Sequence, residues 1–231
     1  MPASTILTAP PLTSPSEVLP RLRAVGSALG PHDGVGYFNR MYVIMTETLG
    51  RRIRTSSFAS PEFIDRLEVR FANLYLAALS APAAAPKPWA VLLGRRSDRK
   101  LAPLQFALAG MNAHINHDMP FGIGQACDDV GSGPSEGSHH DDYEKVNGVL
   151  ASIEQEVRES FEQGEVLRLD RQFAGLENVA ANWSIARARD AAWTNGEVLW
   201  ELRGSPPLQR SYGAALADMV GMASRGLLVQ L

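Results

Sequence analysis

A single cysteine, Cys127, leaves this chain of 231 residues unable to form an internal disulfide. That removes the disulfide-stapled secreted scaffolds and fits a reducing compartment. Long apolar runs are missing as well: no segment approaches the roughly 18 uninterrupted residues that a membrane span requires. Met1 to Pro20 lacks the basic start and continuous apolar stretch of a secretory leader, so a cytoplasmic protein with no membrane partner is expected. There is no basic surplus; 22 Lys and Arg against 25 Asp and Glu give a net charge of −3, which argues against a nucleic-acid partner. Alternating Val, Ile and Thr are scarce, and with them the signature of strands. No internal repeat is present.

What remains is helical periodicity on a globular composition, 45% hydrophobic and 20% charged. Residues 1–14, rich in Pro, Ser and Thr, read as a flexible arm, and 15–231 as one α-helical domain. Ser14-Pro15-Ser16-Glu17 opens a helix whose Leu19, Leu22 and Val25 share a face until Gly30-Pro31. Asp33 caps a second, with Tyr37, Met41, Ile44, Met45 and Leu49 at helical spacing. Ser60-Pro61-Glu62 starts a third, striped by Phe63, Leu67, Phe71, Leu74 and Leu79. Trp89 to Leu93 is too short to separate strand from helix. A strong pattern runs from Pro103 to Asp118, where Met119-Pro120 is expected to stop it. Phe121 to Ser138 holds five glycines and one proline and reads as a long ordered loop of the kind that carries function. Further helices are expected over His139–Gln163, over Leu176–Leu202 with Trp183, Trp193 and Trp200, and over Leu208–Leu228 after Pro206-Pro207. The expected fold is an all-α single-domain bundle of about seven or eight helices around one core, with a Gly-rich loop.

Four of the five histidines fall in two short segments, His114-Ile115-Asn116-His117-Asp118 and His139-His140-Asp141-Asp142-Tyr143-Glu144. Residues three and four apart on a helix share a face. His114 therefore lies beside His117 and Asp118, His140 beside Glu144, and His139 beside Asp142. Imidazole nitrogen and carboxylate oxygen are the ligands of zinc, iron, manganese and nickel. Two helices that each offer a His and a carboxylate suggest a metal site of His114, Asp118, His140 and Glu144, with His117 and Asp142 as proton-transfer groups. The expected cofactor is a divalent metal, zinc favoured over iron. The plainer reading makes His114 a core histidine, Asp118 a helix-end cap, and His139 to Asp142 a solvated helix start.

The same segment resembles the zinc-dependent phospholipases C and the related single-strand nucleases, which are all-α. Their order of H-x-x-x-D, proline, then an H-x-x-Y-E-like motif is matched by His114 to Asp118, Pro120, and His140-Asp141-Asp142-Tyr143-Glu144. The resemblance implies that His114, Asp118, His140 and Glu144 ligate metal. This chain departs from the family at Gly124, where those proteins have a further His, and it has no counterpart of their N-terminal Trp. His32-Asp33 is its only upstream His–carboxylate pair, so one or two ions are expected rather than three. Over its whole length the chain resembles an uncharacterised bacterial family, a domain of unknown function. Asp33–Arg40, His114–Pro120 and Trp183–Trp200 carry that likeness, which implies no activity.

The leading functional expectation is a metal-dependent hydrolase acting on a small-molecule substrate of phosphoester type, the ion lowering the pKa of its bound water. Alternatives are a non-haem iron oxygenase, a metal-assisted cyclase or lyase of secondary metabolism, and a non-catalytic helical binding protein. The apolar face of Leu208–Leu228 suits a homodimer.

Overall fold

The structure, a computed structural model, describes residues 9–53, 57–162 and 184–230, with backbone only for 151–162. Among these residues there are helices and no strands. Helix α1 spans Val18–Ala28, α2 Gly34–Ile53, α3 Pro61–Ser80 and α4 Lys87–Arg95. A long helix, α5, comprises Pro103–Met111, a π-helical segment Asn112–Asp118 and Met119–Val130. Then follow α6, His139–Glu162; α7, Ile185–Glu201; and α8, Pro206–Leu227. The all-α bundle expected from periodicity is what the chain forms.

The local signals act as anticipated at several helix starts. Ser14 and Glu17 form a capping box ahead of α1. Asp33 accepts the Val35 N–H at 2.9 Å and also holds Arg96 at 2.9 Å, which joins the start of α2 to the end of α4. Within the segment expected as an arm, Leu12 is buried, and its N–H and C=O both bond the Asn73 side chain. The Trp89 stretch is helical. Of the helix expected over Leu176–Leu202, residues 176–183, including Trp183, lie outside the described residues.

Helix α5 is the axis of the fold. Its first arm packs on α2, its second on α3 and α7, and its π segment against α7 and α8. It is buried on nearly every side, from Phe106, Ala107 and Leu108 to Ile123, Ala126 and Cys127, which explains why its sequence is apolar all round rather than in a stripe. Two of its buried polar residues tie it to the C-terminal end of the chain: Asn112 donates to the Val220 carbonyl at 2.9 Å, and Gln105 to those of Leu227 and Val229 at 2.8 Å.

Two expectations about this helix are corrected. Met119-Pro120 does not end it, and Phe121 to Ser138 is not one loop, since helix continues to Val130 and only Gly131 to Ser138 connects it to α6. Proline inside an α-helix lacks its N–H and collides with the carbonyl four residues back. Here the π turn stands directly before it, and the Met119 N–H reaches five residues back to the His114 carbonyl, a wider helix that accommodates the ring. Gly131, at φ 71°, supplies the left-handed residue that ends α5.

Close approach of α2 and α5 depends on Gly110, where an added methyl would overlap the Phe38 ring. Gly110→Ala is expected to lower stability by about 1–3 kcal/mol through overpacking. Gly124→Ala, in the same helix with open space around it, should be neutral or raise stability by up to about 1 kcal/mol. Urea denaturation of the two variants checks the contrast.

Candidate functional site

The π segment carries the chemistry. Long π stretches are rare and often mark functional sites, because they turn side chains away from where an α-helix would place them. Asp118, 1% exposed, accepts three hydrogen bonds: from His114 Nδ1 at 3.0 Å, His117 Nδ1 at 2.8 Å and Trp89 Nε1 at 2.8 Å. Burial pushes its carboxyl up, but hydrogen bonds from the two imidazoles outweigh that and hold it below the ordinary Asp range. It is therefore an anion, and an ionised carboxylate only accepts. Both imidazoles must then carry a proton on Nδ1, which leaves the Nε2 of a neutral His114 as an acceptor.

His114 is 3% exposed. Burial drives its pKa down against the pull of Asp118, and the net shift is downward, so it is neutral at neutral pH. Its ring stacks on Phe71 at 3.5 Å and 9°, with Tyr42 edge-on at 4.7 Å. The Nε2 atom is sealed from bulk water and has no hydrogen-bond partner among the described residues. A buried acceptor without a partner is costly and calls for an explanation.

His114 also lines a cavity of about 230 Å³, together with Phe71, Tyr42, Met45 and Ile64. The wall is apolar except at a few points. Glu68 and Arg189 also line it, and it reaches the surface near the exposed Gly50 and Asp65. Burial raises the Glu68 carboxyl to about 7, with the neighbouring Asp65 charge adding to the effect. Desolvation first, and then the Glu68 charge, lift the Tyr42 phenol well above its ordinary value.

The structure joins only part of the set expected from sequence. His114, His117 and Asp118 are bonded into one buried unit, with His117 leaning on Phe121 at 5.1 Å. His140 and Glu144 stand apart as an exposed pair 3.7 Å from each other. His140 lies against Trp193, and Glu144 accepts from Asn147 at 2.8 Å. Asp142 spends both oxygens on fold-building bonds, to the Ser60 N–H at 2.6 Å, where it serves the start of α3, and to Lys145 at 2.7 Å. His139 stacks on Phe63 at 4.2 Å and bonds the Gly133 carbonyl at 3.0 Å. Among the described residues no group of three or more His, Cys, Asp or Glu side chains is placed to hold an ion.

Glu68 and Arg189 were not singled out by motif. Each had a signal: a charge on an apolar helical stripe. Arg189 lies midway between Ile185 and Trp193 at four-residue steps, and Glu68 sits four after Ile64 and three before Phe71.

The molecule is thus a helical bundle that encloses a mostly apolar cavity, with a carboxylate-braced imidazole in its wall. The chain belongs to DUF5995, described as a family of unknown function, and the match runs over residues 16–230. No curated protein and no solved structure matches it.

Two outcomes test this description. Asp118→Ala strands three buried donors and should cost about 3 kcal/mol or more, read by denaturant unfolding. Glu68 has a folded pKa raised above its unfolded value of 4.5, so its contribution to stability is present at low pH and lost as pH rises through about 7. Glu68→Gln is therefore expected to raise the melting temperature at pH ~8, by an amount worth about 1 kcal/mol, and to change it little at pH ~5.

Proposed function

We propose that this protein binds a small, largely apolar organic molecule in the central cavity, with His114 Nε2 as the acceptor that orients it. The observation that carries the reading is the apolar chamber with His114 among its lining residues, neutral, unpartnered at Nε2 among the described residues and fixed by Asp118. Ligand sites combine apolar walls with a few placed polar groups in this way. An engineered cavity of about 150 Å³ accepts benzene, so about 230 Å³ suits a ligand of roughly a dozen non-hydrogen atoms. A carboxylate-braced neutral imidazole is also the arrangement of a general base, so a bound hydroxyl or acidic C–H placed against Nε2 could lose its proton there.

A second reading, the metal-dependent hydrolase expected from sequence, draws on the same atom, because metal-bound imidazoles commonly donate their other N–H to a carboxylate. The remaining expected ligands do not fit one ion. Asp118 has its oxygens committed to three donors, and His140 and Glu144 face each other at the surface. Stoichiometric zinc or iron in protein purified without a nickel resin, lost on His114→Ala, would favour this second reading.

The binding reading is tested with 1-octanol as probe. It should raise the melting temperature of the wild-type protein, and Ile64→Trp, which fills the chamber, should abolish the shift. His114→Phe keeps the stack on Phe71 but removes the acceptor, and should weaken octanol binding about 2- to 10-fold. Equal shifts in the wild type and the filled variant would refute the proposal.

A further inference from the structure

Arg189 is a second polar group in the wall of this cavity. It is 6% exposed. Its Nε donates to Asn147 Oδ1, and its guanidinium lies over the Tyr143 ring, 4.2 Å from the centroid. Those contacts fix its position without cancelling its charge. The nearest carboxylates are turned elsewhere: Glu144 and Asp190 both accept from the Asn147 amide, at 2.8 and 3.3 Å. Among the described residues no carboxylate forms an ion pair with Arg189, and its two terminal nitrogens have no hydrogen-bond partner.

A buried cation without a counter-charge is expensive, and guanidinium has no way out by losing its proton. Of the two carboxyls that line the chamber, Asp65 stands at its exposed mouth, and Glu68 does have one: it takes up a proton near neutrality under the pressure of burial. The two groups are not an ion pair with each other. Inside the mouth, the charge without a counter-ion among the described residues is therefore the Arg189 cation. Arg189 stands on α7 and His114 on α5, two helices that pack together, and the Arg189 charge is felt at both His114 and Tyr42. Both residues line the one chamber.

Resting on the cavity reading above, we infer that the ligand is an apolar carboxylic acid of medium chain length or similar bulk, its carboxylate held by Arg189 and its hydrocarbon body lying along the Phe71, Met45 and Ile64 wall. Guanidinium is the side chain best matched to a carboxylate, since its planar fork offers two parallel donors. Nε is engaged by Asn147, so the two terminal nitrogens present the fork.

Octanoate, 1-octanol and octylamine share one chain and differ only in the head group, so they separate the alternatives by calorimetric titration. Octanoate is expected to bind at least tenfold tighter than octanol, and octylamine more weakly than either. Arg189→Met should erase the octanoate preference while octanol still binds. If Arg189→Met does not fold, Arg189→Lys keeps the charge without the fork and should reduce the preference severalfold. Octanol binding equal to octanoate, octylamine binding tightest, or a preference that survives in Arg189→Met would each overturn this inference and leave the cavity reading standing. Failure of all three probes to bind would overturn both.

Discussion

The buried carboxylate of Asp118 is the constraint from which the centre of this molecule follows. An ion removed from water is tolerated only where hydrogen bonds replace its hydration. Three donors converge on it, from the indole of α4 and from two imidazoles of α5. Meeting that demand dictates the tautomer of both histidines, the orientation of the Trp89 ring and the docking of α4 against α5. It also fits the π turn. Neighbouring residues on a regular helix do not face each other, yet His117 and Asp118 are bonded here within a seven-residue π segment. The same turn lets Pro120 ride in the middle of a long helix. One anion thus ties together a rare backbone geometry, a proline in an unusual place and the polarity of the chamber.

The bundle was largely legible in the residues. Helix starts at Ser14, Asp33 and Ser60 were marked by capping side chains and proline, and the apolar spacing gave type and approximate extent. Helix α5 was misjudged for a physical reason. Glycine and proline carry helix-breaking propensities of about 1 and 3 kcal/mol, and tertiary packing overrides both in a helix enclosed on all sides. Gly122 faces the α3 backbone at Phe71, where an added methyl would make ordinary contact at 3.7 Å, so the residue that suggested a loop sits at a helix–helix contact.

The site was legible in one half only. His114, His117 and Asp118 fall within one turn, and spacing alone places such residues together. Whether a second helix brings its own His and carboxylate to the same point depends on crossing angles, which periodicity along either helix does not encode. His140 and Glu144 satisfy the spacing rule among themselves at 3.7 Å, as an ordinary exposed pair one turn apart. Arg189 and Glu68 belong to no motif. Their oddity is positional, a charge where the stripe calls for a hydrocarbon, and that signal is as strong in this chain as the histidine cluster.

A core free to optimise its own stability would not retain three such groups around one void. Among the described residues His114 Nε2 lacks a donor and Arg189 lacks an ion-pair partner, and Glu68 is held in surroundings that favour its neutral form. Replacement of Glu68 by Gln would relieve one of these costs, whereas His114 is also held by the hydrogen bond it gives Asp118. Natural chains commonly accept such costs where function requires a destabilised site. The three deficits are also complementary in kind: an acceptor, a cation and a carboxyl able to give up its charge, arranged around apolar walls. A single acid of modest size, carrying an anionic head and a hydrocarbon body, answers the guanidinium with its carboxylate while its chain displaces water from the apolar wall.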